Sequence, residues 1–158
     1  MKTKCPLLTL IATFVLLLST SPSRAVDTVT PAMTGHWEGN AHIVVNWCTQ
    51  TNLPVAITIN SDGTVSGKVG DATLSKARLT RNRGRLGRKL HLATDYIVRG
   101  ELAGPIVAAD GVRRERVAMP LNFSGGVFTG GVHSSGSKFG GREKMILSAQ
   151  SLRLTSGR

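Results

Sequence analysis

Cysteine is scarce in this sequence, and its placement leaves no room for disulfide chemistry within the body of the chain. Of the two cysteines, Cys5 precedes an N-terminal apolar run and Cys48 stands alone after it. A single cysteine cannot form an internal disulfide, so a disulfide-stapled scaffold is excluded. We interpret Cys48 as a half-buried small residue without a redox role.

Aromatic residues are also few, at 4% of the chain. Proteins that bind single-stranded nucleic acid stack the bases on exposed aromatic side chains. Most of the aromatic residues here, including Trp37 and Phe123, fall at positions that strand alternation predicts to face inward. We therefore do not expect nucleic acid as a partner, although the chain is basic.

Acidic residues are few as well, with 9 Asp and Glu against 20 Lys and Arg and a net charge of +11. Asp62, Asp71 and Asp110 stand beside glycine in predicted turns, where a carboxylate bonds to the local backbone. No carboxylate pair suggests acid–base chemistry, and no close pair of histidines or cysteines suggests a metal site. We expect no enzymatic activity, no cofactor and no metal.

The N-terminus has the pattern of a cleavable export signal. Two lysines precede an apolar run from Pro6 to Leu18, and Ser23-Arg24-Ala25 places small residues where a signal peptidase requires them. The run is shorter than the roughly 20 residues of a membrane-spanning helix. We predict a signal peptide over residues 1–25, a periplasmic or secreted location, and no membrane-spanning helix after cleavage. An uncleaved N-terminal anchor is the alternative.

The remaining residues, about 130, are enough for one hydrophobic core. From Gly35 to Trp47 apolar and polar residues alternate with the period of two that a half-buried strand requires. Similar segments recur along the chain, separated by turn sequences such as Asn60-Ser61-Asp62-Gly63. No segment keeps the 3.6-residue period of a helix.

We therefore predict an all-β domain over residues 35–158, preceded by a flexible segment over residues 26–34. Eight or nine strands, one of them short and covering residues 90–93, would form a closed antiparallel up-and-down barrel, with a β-sandwich as the alternative. The glycine pairs Gly125-Gly126, Gly130-Gly131 and Gly140-Gly141 are interpreted as bends or bulges in this sheet.

Two short segments resemble the calycin barrels, which include the lipocalins and avidins. Thr34-Gly35-His36-Trp37-Glu38-Gly39 is similar to the Gly-x-Trp opening of their first strand, and Asp62-Gly63-Thr64-Val65-Ser66-Gly67 is similar to the returning strand. The resemblance implies a closed barrel with an internal ligand site. It also implies that a late basic residue, here Arg153, packs across Trp37 and helps to close the barrel.

The most basic segment runs from residue 76 to residue 89 and contains no acidic residue. Arginine binds phosphates and carboxylates through planar paired hydrogen bonds, and clustered positive charge attracts polyanions. We predict a ligand-binding basic loop with the residues Lys76, Arg78, Arg81, Arg83, Arg85, Arg88 and Lys89. A second cluster of Arg113, Arg114 and Arg116 is expected at the same end of the fold.

Together these features predict an exported, non-enzymatic β-barrel that binds an anionic ligand through the basic loop. Anionic polymers of the cell envelope and lipid headgroups are the expected partners. The alternative is a carrier that holds a small apolar ligand inside the barrel, which requires a cavity of a few hundred Å³. A basic loop that is simply solvated would have no partner at all.

Overall fold

The computed structural model describes residues 29–45, 48–82, 94–107, 112–138 and 144–157. For residues 112–115, 137–138 and 144–145 it describes the backbone alone. The predicted signal peptide, Trp47, the predicted short strand at 90–93 and Gly140-Gly141 lie outside the described residues.

The described part of the chain forms eight strands after one short 3-10 helix. The helix spans Pro31–Met33. The strands are β1 Gly35–Ile43, β2 Asn52–Ile59, β3 Thr64–Val69, β4 Ala72–Arg81, β5 Tyr96–Ala103, β6 Val112–Ser124, β7 Val127–Lys138 and β8 Lys144–Ser156. No helix within the described ranges is long and apolar enough to cross a membrane.

Each strand pairs antiparallel with the next one along the chain, and β1 also pairs with β8. The sheet is therefore a closed eight-stranded up-and-down barrel. This result confirms the predicted fold class and excludes the sandwich. Closure leaves no exposed sheet edge among these strands, so every strand has backbone partners on both sides.

Alternation along the strands separates the barrel interior from its outer face. In β1, Trp37, Ala41 and Ile43 are buried, whereas His36 and Glu38 are exposed. The same alternation in the other strands places one continuous set of aliphatic and aromatic side chains inside. Removing this apolar surface from water is the main stabilising contribution in a domain of this kind.

Two hairpins show why their sequences turn where they do. Gly125 and Gly126 connect β6 to β7, and their φ angles of 59° and 74° match a tight two-residue hairpin with both residues left-handed. At the β2–β3 hairpin, the Thr64 amide and hydroxyl both donate to Asp62 Oδ1, at 2.9 and 2.6 Å. The turn at Asn60-Ser61-Asp62-Gly63 was predicted from the sequence, whereas Gly125-Gly126 was interpreted as a bend or bulge.

The seam between β1 and β8 depends on one glycine and on a bulge. A Cβ atom at Gly39 would lie 1.8 Å from the Arg153 carbonyl oxygen, so only glycine allows β8 to approach this closely. The register then shifts between Asn40 and His42, and on β8 Ser151 adopts a left-handed φ of 55°. The bulge keeps Ala149 and Leu152, on either side of it, facing the interior.

The start of the described chain packs against the barrel. Met33, in the 3-10 helix, is buried, and Val29 contacts the core cluster. The Trp37 indole N–H donates to the Met33 carbonyl oxygen at 3.0 Å. An apolar side chain and an indole hydrogen bond therefore hold residues 29–34 against the barrel.

The barrel has two ends, which we name by their residues. At the Trp37 end, β1 starts and the connections β2–β3, β4–β5 and β6–β7 are made. At the Cys48 end lie the connections β1–β2, β3–β4, β5–β6 and β7–β8. Cys48 itself is a free, half-buried cysteine that packs against the core cluster, as the sequence predicted.

Candidate functional site

The predicted basic segment begins as part of strand β4. Lys76, Arg78 and Arg81 are exposed residues of this strand. The remaining members of the predicted loop, Arg83, Arg85, Arg88 and Lys89, lie outside the described residues. The two flanks of the β4–β5 connection are held together, since the Asn82 backbone N–H donates to the Asp95 carbonyl oxygen at 2.8 Å.

A bulge in β4 places Arg78 on the outer face. Strict alternation after the buried Leu74 would send Arg78 into the apolar interior, where an unpaired charge is very costly. The register with β5 shifts between Ser75 and Arg78, and Lys76 has a left-handed φ of 48°. The shift turns Ala77 inward, where it is buried, and turns Arg78 outward.

Arg78 belongs to a cluster of three arginines on neighbouring strands. It lies directly opposite Arg99 of β5 in the sheet register. Arg99 pairs with Ala118 of β6 and Glu101 pairs with Arg116, so Arg116 is the diagonal neighbour of Arg99. All three arginines are exposed on the outer wall. We call Arg78, Arg99 and Arg116 the arginine face.

Two carboxylates lie near the arginine face. Glu101 is opposite Arg116 in the register, but its Oε2 accepts a hydrogen bond from Lys76 Nζ at 3.0 Å. Asp62 is the second carboxylate: hydrogen bonds from the Thr64 hydroxyl and amide lower its pKa, and the positive charge of Arg78 lowers that pKa further. Lys76 and the three arginines thus share two acids in this region, of which Glu101 bonds to Lys76 and Asp62 accepts hydrogen bonds from Thr64.

The second predicted basic cluster lies elsewhere. Arg113 and Arg114 are at the start of β6, which begins at the Cys48 end, whereas the β4–β5 connection is at the Trp37 end. The expectation that both clusters share one end was therefore wrong, because the antiparallel strands place Arg81 and Arg113 at opposite ends of the barrel. Arg116 alone reaches the arginine face, since it lies further along β6.

Next to the arginine face, the outer wall contains a groove of about 400 Å³. We call it the wall groove. Its lining residues are Arg99, Gly100, Arg116, Val117, Ala118, His133, Ser134, Ser135 and Ile146. Ala118 lies between Arg99 and His133 in the register. Its small side chain, flanked by longer ones, leaves the depression in the wall.

The far side of the wall groove combines a polar and an apolar residue. His133 Nδ1 is 2.9 Å from the Ser148 hydroxyl oxygen, and this hydrogen bond fixes the plane of the ring. Ile146 is 61% exposed, and it is one of two large aliphatic side chains that the described part of the chain exposes. Val44, bonded through its amide to the Ser148 carbonyl oxygen, is the neighbouring exposed aliphatic residue.

The sequence did not identify the wall groove as a site. Arg99 was predicted to face outward, but nothing connected it with His133, Ser148 or Ile146, which are far away in the chain. The signal that could have found the site is the outward parity of Arg99, Arg116 and His133. Parity alone does not tell which residues of neighbouring strands are opposite each other. The register between the strands sets those pairs, and it is the register that brings the residues of the site together.

The predicted pair of Trp37 and Arg153 does not form. Trp37 is buried inside the barrel, whereas Arg153 is exposed on the outer face of β8. The Trp37 ring instead meets Phe128 edge-on, with ring centroids 4.8 Å apart, and Phe123 at 5.8 Å.

The barrel interior is packed in the part that the structure describes. A ligand cavity would leave the side chains around it accessible to a molecule the size of water. Ile57, Met119 and Leu147, which face the interior, are each 0% exposed. Ser134 is a polar exception: it faces inward, is 3% exposed, and its hydroxyl has no hydrogen-bond partner. These residues favour a core filled by side chains over a hollow carrier.

Comparisons of the chain with protein-family models, with curated proteins and with solved structures found no significant match. The resemblance to calycin barrels therefore remains a prediction based on two short segments.

Proposed function

We propose that this β-barrel is an exported, non-enzymatic protein that binds an anionic ligand of the cell envelope through the arginine face. The N-terminal pattern of Lys2 and Lys4, an apolar run and Ser23-Arg24-Ala25 supports export. Arg81, which is exposed where β4 ends, adds a further cation at the Trp37 end.

The observation that carries the proposal is the placement of Arg78 opposite Arg99. Like charges directly across a strand pair destabilise a sheet, and neutral pairs would be better for folding alone. The two nearby acids offset only part of this repulsion, because Glu101 bonds to Lys76 and Asp62 is a single carboxylate beside the arginine face. A bound anion would neutralise both arginines, and guanidinium groups bind phosphate and carboxylate oxygens in pairs.

Binding tests this proposal directly. The purified protein is sedimented with vesicles of anionic phospholipid, with neutral vesicles, with lipopolysaccharide and with an acidic glycan, over a series of salt concentrations. We expect binding to at least one anionic partner that weakens as salt rises, since exposed charges are screened within about 8 Å at physiological ionic strength. Neutral vesicles should not bind.

Two matched double variants separate the arginine face from net charge. Arg78→Ser with Arg99→Ser removes two cations from the proposed surface. Lys68→Ser with Arg153→Ser removes two exposed cations from β3 and β8. At about 1 kcal/mol for each basic residue near an anionic surface, the first variant should bind roughly thirtyfold more weakly. The control should lose little, and equal losses in both variants would contradict the proposal.

Export has its own test. When the full chain is expressed in a bacterium, the protein recovered from the periplasm or medium should begin at Val26, as N-terminal sequencing would show. Recovery of the chain from the cytoplasm with Met1 intact would contradict the export part of the proposal. It would leave the binding measurements unaffected.

A further inference from the structure

The wall groove has a chemical character of its own beside the arginine face. One side carries two guanidinium groups, from Arg99 and Arg116, and the other carries the exposed aliphatic side chain of Ile146. The floor is the small side chain of Ala118 and neighbouring backbone. A site with charge at one side and apolar surface at the other fits an amphiphilic anion better than a uniform polyanion.

The two arginines favour a tetrahedral anion over a carboxylate. Arg99 and Arg116 are diagonal neighbours, which places their Cα atoms about 7–8 Å apart, so both flexible side chains can converge on one group. A single arginine already engages both oxygens of a carboxylate by paired hydrogen bonds. A phosphate monoester has three terminal oxygens and a charge of about −1.5 to −2, which matches two guanidinium groups.

His133 adds a third polar group at the groove. Its Nδ1 is taken by the Ser148 hydroxyl. When that hydroxyl donates to Nδ1, the neutral ring carries its proton on Nε2 and remains a donor there. None of the described residues bonds to Nε2, so this N–H is free for an additional oxygen of a ligand.

Ile146 explains why the ligand should also have an apolar part. An isoleucine that is 61% exposed gains nothing from the core, and Val44, 46% exposed, is the neighbouring aliphatic residue across Ser148. The hydrocarbon part of a ligand would cover this surface and remove it from water. Each methylene group buried in this way should raise the affinity about fourfold.

We propose that the wall groove binds a phosphate monoester attached to an apolar group, with the phosphate on Arg99 and Arg116 and the apolar group against Ile146. The inference deepens the proposed function, on which it rests, by naming the ligand class of one part of the basic surface. The phosphate could belong to a lipid headgroup or to a soluble organic phosphate, and the experiment distinguishes these sources.

The test is a titration followed by two-dimensional ¹H–¹⁵N NMR, with three soluble probes: inorganic phosphate, n-octyl phosphate and n-octyl sulfate, all below micelle formation. We expect amide shifts at Gly100, Ala118 and Ser135. Octyl phosphate should bind at least about tenfold more tightly than inorganic phosphate, which corresponds to two buried methylene groups. It should also bind more tightly than octyl sulfate, which carries less charge.

Variants assign the two parts of the groove. Arg99→Ser or Arg116→Ser should weaken both phosphate probes about tenfold or more. Ile146→Ser should remove the advantage of octyl phosphate over inorganic phosphate, and Ala118→Leu should fill the floor and block octyl phosphate. Arg153→Ser, on β8 outside the groove, should change neither affinity. Ile146 and Ala118 are on the outer wall, so the variants at these positions test binding in the wall groove even where an arginine variant fails to fold.

The outcomes separate this inference from the proposed function. Octyl phosphate that binds no more tightly than inorganic phosphate, or that is unaffected by both Ile146→Ser and Ala118→Leu, overturns the groove assignment even when anionic vesicles still bind. Tight octyl phosphate binding without vesicle binding supports the groove with a soluble phosphate. Vesicles containing phosphatidic acid, bound in preference to other anionic vesicles and blocked by Ala118→Leu, assign the lipid source.

Discussion

Trp37 offers the clearest test of how the barrel end is built. Its side chain is 3% exposed, meets Phe128 and Phe123 edge-on, and donates its indole N–H to the Met33 carbonyl oxygen. Trp37→Ala removes the ring, leaves a cavity between the two phenylalanines and leaves the Met33 oxygen without its donor. Substitutions of this kind cost about 3–5 kcal/mol.

The conservative variant Trp37→Phe separates packing from hydrogen bonding. It keeps an aromatic ring against Phe128 but loses the N–H donor and part of the volume. We expect a smaller cost of about 1–2 kcal/mol, from one lost hydrogen bond and a modest void. Both variants are measured by urea unfolding followed with far-UV circular dichroism, which does not depend on tryptophan fluorescence, and the slope against urea should stay constant.

Arg153→Ala is the matched control for this series. Because Arg153 is on the outer face and does not pack across Trp37, its removal should change the unfolding free energy by less than about 0.5 kcal/mol. The double variant should show no coupling with Trp37→Ala. A cost below 1 kcal/mol for Trp37→Ala, or a coupling of about 1 kcal/mol with Arg153→Ala, would refute this account of the barrel end.

Three further predictions concern stability. Gly39→Ala should destabilise the protein by about 1–3 kcal/mol or more, measured by urea unfolding, because its Cβ atom would clash with the Arg153 carbonyl oxygen at the β1–β8 seam; an unchanged midpoint would contradict the close approach. Ser134→Ala should raise the unfolding free energy by about 1 kcal/mol, since it removes a buried hydroxyl without a partner; destabilisation would imply a missed partner. The pKa of Asp62 is lowered from 3.8 by folding, chiefly through the Thr64 hydroxyl, so its contribution to stability is present above that value and is lost as pH falls through the lower folded pKa. Asp62→Asn should therefore flatten the loss of stability toward acid pH in urea unfolding at a series of pH values, and identical slopes for both proteins would contradict the lowered pKa.

Much of the fold could be predicted from the sequence because strand alternation and turn residues are local signals. The outward positions of Arg99 and Glu101, the inward position of Val98 and the hairpin at Asp62-Gly63 all follow from residues close in the chain. A barrel is also the arrangement that leaves no sheet edge for strands of this regular spacing. Periodicity predicted eight or nine strands, and the strand pairing in the described part of the chain gives eight.

The site could not be predicted because it depends on register and on bulges. A bulge at Lys76 changes which face Arg78 occupies, and a one-residue shift moves a side chain from one side of the sheet to the other. The contact of His133 with Ser148 joins two strands through a register that also contains a shift. Neither irregularity has a signature in the amino-acid sequence beyond the break in alternation.

The same reasoning explains the two expectations that the structure corrected. Arg153 matched a family pattern by its position near the end of the chain, but its parity on β8 places it outside. The cluster at Arg113 and Arg114 lies a strand length from Arg81, because β5 crosses the barrel from the Trp37 end to the Cys48 end before β6 begins. The position of a residue along its strand and the direction of that strand decide at which end of the barrel the residue lies.

The most direct test of the central claim compares two single variants that remove the same charge. Arg99→Ser and Arg153→Ser each delete one exposed arginine, on β5 and on β8, which is three strands away in the barrel. Affinity for anionic phospholipid vesicles is measured for both at one moderate salt concentration. The account predicts about a fivefold loss for Arg99→Ser, from about 1 kcal/mol at the binding surface, and almost none for Arg153→Ser. Equal losses would show that net charge alone attracts the protein to anionic surfaces, and this result would contradict a binding site on the arginine face.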